Sequence, residues 1–211
     1  NLYKFILFKL PNGNGGIIPV FHHLIADAWG LSLFINEIID IYTKLLNNSN
    51  DFISYPSYSE YIISCSEYEN SNKYLKDKDF WENTFNVSPE LTYISKKKDN
   101  IESKASRKIC SFDSVFYNSI LSYCKEHKSS VYTFFMAIFS IYLSKINNTS
   151  SAILGTPVLN RSNFKEKSTS GMFVSTVPFK INIDSNLNFI DFLGKVSLMQ
   201  TSIFRHQKYP Y

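Results

Sequence analysis

Positions 2–10 are apolar apart from Lys4 and Lys9, the next six residues are Pro11-Asn12-Gly13-Asn14-Gly15-Gly16, and a β-branched and aromatic run resumes over 17–21. Two strand-like runs parted by turn residues predict a hairpin. Between 31 and 46 the apolar set Leu31, Phe34, Ile35, Ile38, Tyr42 and Leu45 recurs at three- and four-residue intervals, which buries one face of a helix. The segment 22–30 is therefore expected to be the turn joining a strand to a helix. Such junctions favour chemistry, because a rigid scaffold holds a short loop whose polar groups face outward.

Beyond a polar linker at 47–56, the pattern predicts helices over 58–68 and 73–85, with Pro89 closing the region. Residues 90–106 are polar and lysine-rich with weak periodicity, as in a crossover between lobes. A short strand is expected over 107–112. Asp113 suits the N-cap of a helix ending near His127, and Ser130 that of a second helix over 131–146. That second helix is apolar nearly all round and is expected to be the most buried. Strands are expected at 152–158 and 175–183, and Asn188 caps a final helix carrying Phe189, Phe192, Leu193, Val196 and Ile203. Interleaved helices and strands predict an α/β fold, a two-layer α/β sandwich. The organisation read from this pattern is 1–94 as part of one lobe, 95–106 as the crossover and 107–211 as part of a second.

Composition narrows the function classes. The 211 residues are 44% hydrophobic and 16% aromatic, enough for a substantial core. The net charge of +4 comes mostly from scattered lysines. The single run, Lys96-Lys97-Lys98, has no interleaved aromatics, so no nucleic-acid partner is expected. Three cysteines without a C-x-x-C pair do not describe a disulfide framework, and a cytoplasmic location is expected. No apolar stretch reaches the length of a membrane span, and residues 1–10 lack the pattern of a signal peptide, so no membrane partner is expected. The chain opens on a strand-like run without an initiator Met, and reads as cut from something larger.

The chemistry concentrates in Phe21-His22-His23-Leu24-Ile25-Ala26-Asp27-Ala28-Trp29-Gly30, which holds two of the chain's four histidines. An imidazole titrates near neutrality and accepts a proton from an amine or hydroxyl nucleophile. Adjacent residues on a strand point to opposite faces, so one histidine faces a cleft while the other packs behind it. From the residues alone, three readings stand: a general base, a pair of packed or hydrogen-bonded histidines, and a metal site with Asp27. The metal reading needs further ligands, and neither His127 nor His206 lies in a motif that supplies them. There is no G-x-S-x-G, and Cys65, Cys110 and Cys124 fall within helical or strand patterns that suit packing.

The segment 22–30 is similar to the HHxxxDG signature of the condensation domains of nonribosomal peptide synthetases, members of the chloramphenicol acetyltransferase-like superfamily. Further blocks follow in that family's order. Tyr58-Ser59-Glu60-Tyr61 and Phe80-Trp81 resemble its helical block, Gly155-Thr156-Pro157-Val158 with Arg161 its "GTPv..R" block, and Gly171-Met172-Phe173-Val174-Ser175-Thr176 its "GxFVNT" block. His206-Gln207-Lys208-Tyr209-Pro210 resembles "HQDYPF". The blocks span nearly the whole chain, while the family's two N-terminal blocks and its last C-terminal block have no counterpart. Ala28 stands where the signature has Gly, Ser175 where Asn is usual, and Lys208 where the block has an acid.

The resemblance implies two lobes in a V, the first carrying the HHxxxD motif, with His23 catalytic at their cleft. It assigns His22, Asp27 and Gly30 to support of the motif, and Ala28, Trp29, Met172 and Ser175 to the substrate tunnel. Asp27 is expected to be a structural anion needing an arginine; Arg107, Arg161 and Arg205 are available, and the family's usual partner is expected in the absent N-terminal part. The implied reaction is amide formation between a carrier-bound acyl or aminoacyl thioester and an aminoacyl thioester acceptor. No metal or bound cofactor is implied, since the phosphopantetheine belongs to the donor and acceptor peptidyl carrier proteins. A mildly basic surface does not repel acidic carriers. Adenylation and carrier domains are the expected neighbours. A stand-alone acyltransferase using an acyl thioester, and a non-catalytic member that recruits carriers or partner enzymes, are the alternatives.

Overall fold

The hairpin forms where the turn residues place it. In a computed structural model, which describes residues 1–90, 92–94 and 106–210, β1 (Tyr3–Lys9) and β2 (Gly15–Phe21) pair antiparallel in a register running from Tyr3 opposite Phe21 to Lys9 opposite Gly15. At the turn the Leu10 amide donates to the Asn14 carbonyl (2.6 Å), and Gly13, with φ of 86°, takes the left-handed backbone that glycine adopts without a Cβ penalty. Helix α1 (Ala28–Leu46) follows. It begins three residues before the expected start, because the Asp27 carboxylate accepts the Gly30 amide and makes Asp27 the N-cap. Ala28, Trp29 and Gly30 are thus the first helical turn, not loop.

Helices α2 (Tyr58–Glu69) and α3 (Asn72–Thr84) lie where the periodicity put them. Asp113 and Ser130 cap α4 (Ser114–Glu126) and α5 (Val131–Asn147) through the amides of Phe116 and Thr133, at 2.7 and 3.0 Å. Next come β3 (Ser151–Val158), a one-turn α6 (Phe164–Lys167), β4 (Ser175–Asn182) and α7 (Phe189–Arg205), capped by Asn188. Strands β3 and β4 are neighbours in a second two-stranded sheet. The strand expected over 107–112 is absent: those residues are exposed coil, and none of the described residues supplies the partner ladder that a strand requires. The expected crossover at 95–106 lies, apart from Ser106, outside the described residues.

The chain gathers into two compact units, Asn1–Lys76 with Pro157–Ser175, and Asp77–Thr156 with Thr176–Tyr211. Segment 157–175 is hydrogen-bonded to Asp27, α1 and α2.

The second unit holds most of the apolar core. On β4, Val177, Phe179 and Ile181 are buried at every other position, the period of a strand with one packed face. They share the core with Ile120 and Cys124 of α4, Met136, Ala137 and Leu143 of α5, and Phe192, Leu193, Val196 and Ile203 of α7. Burying one side chain of the size of Phe179 contributes about 1.5–3 kcal/mol. Helix α5 has the most buried residues of any helix described, yet they form one face; Phe139 and Tyr142 on the other are more than half exposed. The Thr133 hydroxyl donates to Gln200 Oε1 (2.7 Å), a buried polar tie between α5 and α7. Blocks far apart in sequence also meet here. The Trp81 indole donates to the His206 carbonyl (2.9 Å), the His206 ring stacks on Phe80 at 4.1 Å, and its Nδ1 lies 2.6 Å from the fully buried Asp77 carboxylate. No single helix among the described residues is long and apolar enough to cross a membrane.

Candidate functional site

The motif turn leaves β2 at Phe21. The His22 amide donates to the Leu2 carbonyl (2.7 Å), the His22 carbonyl accepts from the Ile25 amide (3.1 Å), and the chain turns over 23–25 before Asp27 caps α1. His22 and His23 are both exposed, so neither is a core histidine. The His22 Nδ1 accepts from the Leu24 amide (3.2 Å). The His23 imidazole has no hydrogen bond or ion pair among the described residues.

Asp27 has the opposite environment. It is 3% exposed and every polar contact of its carboxylate is internal. Oδ1 accepts from the Gly30 amide (2.7 Å), and Oδ2 accepts from the amides of Phe173 (2.9 Å) and Val174 (3.0 Å). One guanidinium nitrogen of Arg161 lies 3.2 and 3.3 Å from the two oxygens. Burial pushes the carboxyl pKa up, but the Gly30, Phe173 and Val174 amides and then the Arg161 charge outweigh it, leaving Asp27 below its ordinary value. Both oxygens are committed to these donors.

Arg161 is the cation that Asp27 needs, and it lies within this chain rather than in a preceding segment. Burial lowers its pKa, while Asp27 opposes the shift. Its other donors bind the carbonyls of Glu166 (2.6 Å), Thr169 (2.5 Å) and Gly171 (3.2 Å), so the loop 161–171 wraps around the guanidinium. The group also sits 3.7 Å over the Phe173 ring, within reach of a cation–π attraction. Tyr61 packs on the same ring at 4.0 Å, Tyr58 meets it edge-on at 5.4 Å, and burial raises the pKa of both phenols.

Two glycines make this close approach possible. A Cβ on Gly30 would stand 2.6 and 2.8 Å from the oxygen and nitrogen of Gly171, and a Cβ on Gly171 would stand 2.2 Å from the Tyr58 ring. The Tyr58 hydroxyl donates to the Met172 carbonyl (2.6 Å), fixing the segment that offers its amides to Asp27. At Gly30 the backbones of α1 and residue 171 approach so closely that no Cβ fits between them.

Of the residues expected to line a tunnel, Ala28 and Ser175 are exposed and Met172 is half-buried. Trp29 is 42% exposed and anchors its indole N–H on the Lys167 carbonyl (2.9 Å). Sequence reasoning missed Arg161 as the specific partner of Asp27, the Phe173 and Val174 amides, and Tyr58 as a brace. The signal was present in part: Arg161, Gly171–Val174 and Tyr58 all sit in blocks resembling one family, but only the fold shows that the blocks touch.

The condensation domain model matches residues 1–211, the whole chain. The chain belongs to the condensation domain family. Two relatives from Bacillus subtilis (strain 168) match this condensation domain chain over its full length. It is 34% identical to surfactin synthase subunit 1 and 32% identical to one of the plipastatin synthase subunits, and it spans 6% and 8% of those proteins. Its fold matches the first condensation domain of the calcium-dependent antibiotic synthetase, in complex with a substrate analogue, with a TM-score of 0.82 at 16% identity. That match covers 99% of this chain and 47% of the other. VibH, a nonribosomal peptide synthetase condensation enzyme, matches with a TM-score of 0.80 at 20% identity, covering 99% and 49%. The α/β fold of this condensation domain chain is thus that of the chloramphenicol acetyltransferase-like domains its sequence resembles, and the chain spans about half the length of the structures it matches.

Proposed function

We propose that this condensation domain chain takes part in amide bond formation between two carrier-bound thioesters, with His23 as the reacting imidazole. The observation that carries this is the contrast within one motif. Asp27 is buried and bonded on both oxygens, while His23, four residues away, is exposed and has no hydrogen bond or ion pair among the described residues. Packing does not account for a side chain in that condition, and a group that exchanges protons with a substrate needs a ring nitrogen free to do so.

The acceptor's amine nitrogen attacks the thioester carbonyl carbon; the C–N bond forms and the C–S bond breaks. The proton lost by the amine passes through the imidazole of His23 to the departing thiolate. An α-amine titrates near pH 8, so about a tenth of it is already neutral at pH 7 and the base has a modest task. Holding the amine against the thioester is the other half of the work, and orientation alone supplies several kcal/mol of barrier reduction, about 7–11 in well-oriented cases. Ala28, Trp29, Met172 and Ser175 are assigned to the substrate path. The phosphopantetheine arms arrive as part of the donor and acceptor carrier proteins, and adenylation and carrier domains are the neighbours in the longer protein.

The test is reconstitution: the full-length protein, with donor and acceptor carriers loaded and the loading verified separately, yields an amide-linked product on the acceptor carrier by mass spectrometry. Transfer to a free small amine or alcohol with no product on an acceptor carrier would identify a stand-alone acyltransferase instead. No transfer at all from verified carriers would identify a recruiting, non-catalytic member.

A further inference from the structure

Helix α5 and strand β4 both end beside the start of α7. Asn148, with φ of 54°, takes the left-handed cap conformation that asparagine tolerates, and the chain turns there into β3. The Ile183 amide donates to the Ser150 carbonyl (2.8 Å), which ties the end of β4 to that turn. Asp184 holds the next turn, accepting the Asn186 amide on Oδ1 (2.9 Å) and the Leu187 amide on its carbonyl (3.2 Å). These turns and helix ends enclose a cleft of about 550 Å³, lined by residues of the unit Asp77–Thr156 with Thr176–Tyr211. Sites that take small molecules measure about 300–1,000 Å³. The floor is apolar, with Ile183, Leu187 and Phe189 half-buried and Phe192 buried. The rim carries one exposed charge of each sign, the Lys145 ammonium on α5 and the Asp184 carboxylate after β4, and neither forms an ion pair among the described residues.

We infer that this cleft binds a short apolar peptide with free ends, of dipeptide size, its ammonium facing Asp184, its carboxylate facing Lys145 and its side chains on the apolar floor. Charge complementarity sets the class. A rim with one group of each sign fits a zwitterion, whereas a fatty acid would set its carboxylate beside Asp184 and an amine its cation beside Lys145. The two charges stand on different elements, and a dipeptide carries its own up to about 7 Å apart. The apolar floor selects side chains that leave water. The inference is independent of the reading of His23.

The experiment is isothermal titration of the full-length protein with leucyl-leucine, N-acetyl-leucyl-leucine, leucyl-leucinamide and glycyl-glycine, in wild type, Lys145→Gln and Asp184→Asn. Leucyl-leucine is expected to bind wild type with a Kd on the order of 0.1–1 mM. Blocking either end should weaken that binding about 3- to 10-fold, and glycyl-glycine should bind at least about tenfold more weakly. The losses should also be paired by residue. Acetylation is expected to cost nothing further in Asp184→Asn, and amidation nothing further in Lys145→Gln, with both thermal midpoints near wild type because both side chains are exposed. Binding unchanged by either substitution places the peptide elsewhere and overturns the inference. So does the absence of saturable binding, the result if another part of the longer protein fills the cleft. The wild-type arms carry the test even where a variant is unstable: blocked peptides, or glycyl-glycine, that bind as well as leucyl-leucine overturn it too.

Discussion

Asp27 and Arg161 bury opposite charges within one unit, and removing one partner of such a pair leaves the other without its counter-charge. Asp27→Ala is therefore expected to cost about 3–5 kcal/mol, read from urea unfolding of the full-length domain. The sign of the pH dependence follows from the lowered pKa of Asp27. The folded protein holds the carboxylate more tightly ionised than the unfolded chain does, so the contribution is fully present above the unfolded value of about 4 and is lost as pH falls through the folded one. Asp27→Asn should flatten that acid limb, and an unchanged limb would assign it to other carboxylates. At this scale the sequence was informative about residue type and silent about partners. The spacing of His23 and Asp27 marked the motif. That one would be exposed and the other buried depended on amides of residues 173 and 174, about 150 positions away, which no local pattern encodes.

Element boundaries were legible wherever a capping residue met a periodic run, as at Asp113, Ser130 and Asn188. They failed where tertiary contact decided: α1 begins early because Asp27 caps it from inside a buried cluster, and 107–112 has strand composition without a partner ladder. The glycines of the helices give a paired prediction. Gly194 in α7 has nothing within 4 Å of where a Cβ would go, so Gly194→Ala is expected to stabilise by up to about 1 kcal/mol through helix propensity. Gly30 also lies in a helix, but its Cβ would meet the Gly171 backbone at 2.6 Å. There, overpacking against atoms that cannot rotate away is expected to outweigh propensity, and Gly30→Ala to destabilise by roughly 1–3 kcal/mol. Thermal melts of the two variants should move in opposite directions; movement in the same direction would show that the backbones part easily.

At the scale of the molecule, the order of the blocks identified the family, and hydrophobic periodicity placed nearly every helix and strand described. The packing of 157–175 was not legible, because its ties to Asp27, α1 and α2 are long-range. The structure also carries apolar surface that nothing among the described residues covers. Leu7 of β1 is 79% exposed, Ile18 and Val20 of β2 are about half exposed, and Ile39, Tyr42 and Leu46 along α1 more than half. Exposed apolar area of this extent promotes association, so the 211 residues expressed alone are expected to self-associate in sedimentation velocity, and Leu7→Lys with Val20→Lys to reduce it. A monodisperse monomer would show that the hairpin is soluble as it stands. The reading as a whole turns on His23, and the most direct measurement is single-turnover amide formation by the full-length protein carrying His23→Ala, with both carriers verified as loaded. General acid–base groups contribute about 10²–10⁴-fold; a loss in that range with an unchanged thermal midpoint is the expected result, and amide formation at the wild-type rate would contradict the account.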